Sequence, residues 1–287
     1  MIAHVAEASE ASGRVLLWLE PDAVAMPQTV NAAVAIASAY AADIETLVLD
    51  APSPCDVVDV PAAHVSLLGK SVQASPSTFK TNDRREVLRL RQTRDVVEAA
   101  DRAHIRITHT LGRGDAIDRL ADMCLARGPW NIIAVSRPPT PQMPGLISAI
   151  LANVSGATGV VVAGRSSVAR AADIAVILED AERMPSMLRA AERLLGPAGR
   201  IHVMIAAETQ AIYEEIEGQA RLITADDARF LHHRGAPSFG VPGAFDAELF
   251  RLKPSFVIAR FGGTLLGQPR ALTRLLALAP GPMLLVR

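Results

Sequence analysis

The residues of this 287-residue chain best suited to chemistry lie near its end: Arg260-Phe261-Gly262-Gly263, followed by Gly267 and the hydroxyl of Thr273. Such a stretch has the composition of an anion cradle, because backbone N–H groups can approach phosphate where no Cβ intervenes. The same glycines suit a tight turn, and that plainer reading is preferred. Glu179-Asp180 could hold a ribose, but adjacent acids just past an apolar run more often cap a helix. His232-His233 end an apolar run, and in an extended chain they point to opposite faces, so they cannot chelate one metal without a bend. His104 and His109 have no third ligand near them in the chain. Cys124 reads as core and Cys55 as a loop thiol of no special reactivity. Arg84, Arg85, Arg89, Arg91 and Arg94 are interspersed with Asp83, Glu86, Asp95 and Glu98, which describes a solvated helix face laced with i,i+4 pairs. No nucleophile elbow, Walker loop or metalloprotease signature is legible, so no catalytic or metal-binding residue is assigned and no enzyme is expected.

Composition narrows the classes further. Lys+Arg 29 against Asp+Glu 30 gives no basic excess, which argues against a general binder of nucleic acid or acidic membranes. Two cysteines are too few for a disulfide scaffold, so a reducing, cytoplasmic setting is expected. The first fourteen residues lack a cationic start followed by an apolar run, so no signal peptide is expected. No stretch of about 18 apolar residues exists, and the longest candidate, 32–42, is interrupted by Ser38 and Tyr40.

The elements that must position these residues alternate. Short continuous apolar runs at 15–19, 47–49, 105–111, 132–135 and 159–162 fit parallel strands buried on both faces. Helical spacing between them is read at 26–40, 82–103 and 115–126, the last capped by Asp115. The second half repeats this grammar, with strands at 174–178, 201–205, 230–233, 256–259 and 283–286 and helices at 185–195, 209–220, 244–252 and 268–278. Met26-Pro27 falls on Met184-Pro185 at an offset of 158, and Leu16 to Glu20 falls on Ala175 to Glu179 at 159. Further on, Ile132-Ile-Ala134 falls on Val257-Ile-Ala259 at 125, so the first copy holds about 33 extra residues. The Pro- and Ser-rich stretch 51–81, without a clear period, is the expected insert. Two domains follow, 1–168 and 169–287, from duplication of a whole domain.

Five strands per half, this helix spacing and the ending Pro282-Met-Leu-Leu-Val-Arg287 resemble the universal stress protein family. The loop Gly112-Arg-Gly-Asp115 looks like the glycine-acid turn placed before that family's third helix. The likeness is to a tandem member and covers nearly everything after Arg14. It implies an α/β fold of two tandem doubly wound domains. Each would be an open five-stranded parallel sheet of order 3-2-1-4-5 with helices on both faces, binding ligands where strand order reverses. Family members commonly dimerise through their fifth strands. Here 159–162 and 283–286 are therefore expected antiparallel within one chain, about a pseudo-twofold axis.

Many members hold ATP through Gly-x2-Gly-x9-Gly-(Ser/Thr) after strand four. The matching positions are Ala259, Gly262, Leu272 and Thr273 in the second half, and Ala134, Arg137, Ile147 and Ser148 in the first. The family's aspartate after strand one appears as Glu20 and Glu179, with Asp180 beside the latter. Leu272 is expected to bring a branched side chain to where phosphate oxygens would lie, and Pro138, Pro139, Pro141 and Pro144 remove donors from the first loop. No ATP is expected in the first half. At most weak binding is expected in the second, around Glu179, Asp180, Arg260, Gly262, Gly263 and Thr273. The resemblance thus implies a non-enzymatic stress-response or regulatory protein, without a cofactor, acting through intramolecular domain pairing and a homo-oligomer or protein partner. The alternative is an adenine-nucleotide switch using the second domain only.

Overall fold

Apolar runs with no wet face have one low-energy solution in an α/β chain: strands in the middle of a sheet covered by helices on both sides. The computed structural model describes residues 13–20, 26–49, 76–126, 130–137, 140–164, 173–225, 227–233, 246–263 and 269–287. In chain order the first half runs β1 (Arg14–Leu19), α1 (Pro27–Ala39), β2 (Asp43–Leu49), α2 (Pro76–Arg102), β3 (Ile107–Gly112), α3 (Ala116–Ala126), β4 (Asn131–Ser136), α4 (Met143–Asn153) and β5 (Ala157–Val162). The second runs β6 (Ile174–Leu178), α5 (Met184–Leu194), β7 (Ile201–Ile205), α6 (Gln210–Thr224), β8 (Phe230–His232), α7 (Asp246–Leu252), β9 (Phe256–Arg260), α8 (Pro269–Leu278) and β10 (Met283–Val286). All ten strands join one sheet of order β3-β2-β1-β4-β5-β10-β9-β6-β7-β8. Each half therefore has the order 3-2-1-4-5, as the resemblance implied.

Local chemistry sets the helix starts. Proline occupies the first turn of α1, α4 and α5, where its missing N–H costs nothing. Asp115 accepts from the amides of Ile117 at 2.8 Å and Asp118 at 3.2 Å ahead of α3. The side chain of Thr209 accepts from Ile212 N at the head of α6. Two expectations need correction. Pro76–Thr81, assigned to an insert without period, forms the first turns of α2, while 51–75 lies outside the described residues. Helix α4 falls in a stretch read as a proline-rich loop. Pro144 sits where a helix tolerates it, and Ile147, Ile150 and Leu151 are buried. The expected domain boundary near 168 also lies outside the described residues.

Helices α1, α2, α5 and α6 bury residues on one face of the sheet, and α3, α4, α7 and α8 on the other. These faces expose a slip in the alignment of the halves. Ile132 and Ala134 share a core with Phe256 and Ile258, whereas Ile133 shares the opposite one with Val257 and Ala259. Val15 pairs Ile132 and Ile174 pairs Phe256, so an offset of 159 on the first strands requires 124 on the fourth, not 125. A one-residue slip would turn each side chain to the wrong face. The register therefore sets Ser136, not Arg137, against Arg260.

The halves meet as expected across antiparallel strands: Met283 pairs Val162, Leu284 pairs Val161, Leu285 pairs Val160 and Val286 pairs Gly159. Helix α1 packs on α5 and α4 on α8, so both cores run through both halves. Arg193 of α5 lies 5.0 Å from the ring centroid of Tyr40, which stacks on Trp130 at 4.6 Å. Gly164 approaches the Gly281 backbone so closely that a Cβ would overlap it. Either half expressed alone, 1–168 or 169–287, would bare an apolar edge strand. Each is expected to dimerise or aggregate in light scattering, and a stable monomer would refute this account of the join.

Candidate functional site

In a sheet of this order the connections leaving the two strands that flank the reversal turn to opposite faces and leave a crevice, one per half. In the first half β1 delivers Glu20 and β4 delivers Arg137 to that crevice. Arg137 Nε donates to Glu20 Oε1 at 2.6 Å, its Nη2 bonds the same oxygen, and its guanidinium lies 5.8 Å from the Trp18 ring centroid. Gln92 from α2 is buried and donates to the Glu20 carbonyl at 2.9 Å. The hydroxyl of Ser136 accepts from Met26 N at 2.9 Å. The cation here is thus turned onto an acid and a ring of the same chain.

The second crevice closes by a related device from a different position. Arg260, the last residue of β9, bonds Asp180 through its Nη1. Asp180 also accepts from Arg183 N at 2.9 Å, closing the turn ahead of α5, whose N-cap Arg183 has no side-chain cap, so this acid does not itself cap the helix. Burial alone would raise the Asp180 carboxyl, but the Arg183 amide and Arg260 guanidinium outweigh it and hold it below its usual range. Glu179 is buried, and its carboxylate lies against Gly263 where a Cβ would stand. Gly262 has φ +81°, a left-handed conformation that glycine adopts without strain.

Glu179, Asp180, Arg260, Gly262 and Gly263 therefore do come together, as the sequence suggested. Thr273 lies on α8, half-buried, beside Leu272. Gly267, Pro138 and Pro139 fall outside the described residues. The expected placement of Leu272 is not met. Leu272 is 1% exposed and packs in the core with Val257 and Ala259, so it does not project into the crevice. What stands beside the glycine turn is the Glu179 side chain, with the Arg260–Asp180 pair next to it.

Other features were not foreseen. Trp18 and Gln92 enter the first crevice from positions that periodicity reads only as core or helix face. Deeper in the same half, Arg14 on β1 bonds Glu45 on β2 and donates to Asn131 Oδ1 at 2.9 Å. Cys124 is buried nearby, and burial raises its thiol to about 11, as expected of a core residue. His232 and His233 do point apart: His232 Nε2 lies 2.8 Å from Thr224 Oγ1, and His233 Nε2 lies 2.7 Å from His202 Nδ1. No group of three or more metal-ligating side chains is present among the described residues, and none of the helices searched there is long and apolar enough to cross a membrane.

No family model matches the chain, and no curated protein matches it. Solved structures do. A universal stress protein from Archaeoglobus fulgidus DSM 4304 superposes with a TM-score of 0.65 at 13% identity, covering 96% of each chain. A functionally unknown protein from Pseudomonas aeruginosa PAO1 gives 0.54 at 13% identity, over 96% of this chain and 92% of that one. The cytoplasmic domain of a prokaryotic cation chloride cotransporter gives 0.51 at 10% identity, over 96% of this chain and 95% of that one. With the strand order and the joined fifth strands, these matches show that the chain has a universal-stress-protein-like fold.

Proposed function

We propose that this chain is a stress-response or regulatory protein that works without catalysis, through a partner, and whose crevices are occupied by its own side chains rather than by a nucleotide. The observation that carries this reading is the pairing of Arg260 with Asp180 beside a glycine turn already covered by Glu179. A triphosphate entering there would have to draw Arg260 away from Asp180 and then face the Asp180 carboxylate. In the first half the Arg137–Glu20 pair imposes the same cost. Losing two or three charge-assisted bonds at about 1.5–3 kcal/mol each takes micromolar binding to millimolar or weaker.

Calorimetric titration with ATP, ADP and AMP, with and without magnesium, tests the reading. The expected result is no saturable heat below about millimolar nucleotide. One observation favours a second reading, an adenine-nucleotide switch in the second half: the left-handed Gly262 and the adjoining Gly263 keep the turn that a phosphate cradle needs. Tight stoichiometric ATP binding, abolished by Gly262→Val, would establish that reading in place of the first.

A further inference from the structure

We infer that the hydrogen-bonded chain Asp173–His202–His233–Glu248 is an acid-sensitive latch that holds the outer edge of the second half, β8 and α7, against β7. The chain is built from four separate elements. Asp173 immediately precedes β6, and its Oδ2 lies 3.1 Å from His202 Nε2 on β7. His202 Nδ1 lies 2.7 Å from His233 Nε2, just past β8, with the rings 4.8 Å apart. His233 Nδ1 lies 2.9 Å from Glu248 Oε1 on α7. His202 is 4% exposed, so this is an internal connection rather than a surface pairing.

Proton counting gives the chain its sensitivity. Three hydrogen bonds need three protons, and two neutral imidazoles bring only two. With both carboxylates ionised, the intact chain holds one added proton between the facing nitrogens. One more proton would set N–H against N–H across a 2.7 Å gap and break the central link. The surroundings resist that last proton. Burial, then His202, then Arg251 lower the affinity of His233, and Glu248 opposes them less strongly. Asp173 is held in turn by the amide of Arg200, and Glu248 is paired with Arg251. His232, on the other face of the same strand, shifts the same way: burial and Arg221 lower it, with Glu217 opposing and Thr224 at its Nε2.

The sign follows from linkage. His233 takes up a proton more readily once the edge is released than while it is docked. Acidification below the ordinary histidine value of about 6.5 therefore favours release and returning to that value restores docking, while loss of the one shared proton at higher pH would remove the central bond. Release would uncover Leu249, which is fully buried under α7 with Met204 and Ala206 in the same core. The inference stands apart from the nucleotide question, since neither crevice contributes a residue to it.

Hydrogen exchange followed from about pH 6.5 to about pH 5, corrected for intrinsic rates, reads the latch directly. Amides of 230–233 and 246–252 are expected to lose protection on acidification while those of β4 keep theirs. In His233→Gln, which cannot take the added proton, most of that pH response is expected to disappear. Unchanged protection at the edge, loss spread evenly over the chain, or an unaltered response in His233→Gln would each overturn the proposal. Should that variant fail to fold, ring NMR of the wild-type histidines decides. His233 is expected to titrate below the ordinary histidine range, and an ordinary titration would refute the proposal.

Discussion

Truncating Leu285 to alanine is expected to lower the stability of the whole chain by about 3–5 kcal/mol, the range for removing a large aliphatic side chain from a well-packed core. Leu285 is fully buried on β10, paired with Val160 of the first half on one side and Ala259 of the second on the other. Its core contains Val160 and Val162 together with Ile177, Val257 and Met283, so the cavity would open in packing that both halves share. Relaxation is limited there, because the neighbouring strands are fixed by ladders on both sides. Against a net stability of about 5–15 kcal/mol, the loss is large. Urea unfolding should show one transition, its midpoint lowered and its slope unchanged. As a control, Leu222→Ala, at a side chain 81% exposed, should change stability by no more than about 0.5 kcal/mol. Two separate unfolding steps, with only one displaced by Leu285→Ala, would contradict a core common to both halves.

Breaking the buried Arg14–Glu45 pair is expected to cost nearly as much. Glu45→Leu would leave Arg14 charged and 5% exposed, and an unpaired buried charge costs about 3–5 kcal/mol. The pair does more than neutralise itself. Thr110 on β3 donates to Glu45 at 2.9 Å, while Arg14 reaches Asn131 on β4, whose amide donates to Gly156 O at 3.0 Å. Four adjacent strands are thereby tied across the sheet. The Coulomb attraction offsets a desolvation cost of similar size, so removing both charges differs from removing one. The double replacement Arg14→Met with Glu45→Leu should recover most of the loss seen with Glu45→Leu. A double-mutant cycle by urea unfolding measures this. If the double variant is as unstable as the single one, the cost arises from packing and not from the stranded charge.

The proposed closure of the second crevice also predicts how Asp180 responds to acid. Its carboxyl is held below the usual range, so the stability it contributes is present above the ordinary carboxylate value and lost as pH falls through the folded one. Because Asp180 is partly exposed, solvent screens that contribution and keep it small.

Much of the architecture was decided by sequence, and for a local reason. A run such as Leu16-Leu-Trp-Leu19 with no polar alternation fits only a strand covered on both faces, and Met26-Pro27 and Met184-Pro185 mark helix starts because proline belongs there. The family resemblance, not the residue pattern, implied the strand order of each half and the meeting of the fifth strands, which apolar edges in need of covering then support. The clustering of Glu179, Asp180, Arg260, Gly262 and Gly263 was legible through the same resemblance, which sets the loops after β6 and β9 side by side. Register was not: with apolar residues at nearly every position of β4 and β9, periodicity cannot tell an offset of 124 from 125, and only pairing against β1 and β6 fixes which face is which. Nor could sequence say which acid Arg260 meets, that Leu272 turns into the core, or that His202 and His233, 31 residues apart, share a hydrogen bond. Those are decisions between partners distant in the chain, and they are made by the close packing of whole elements, which no local pattern of residues encodes.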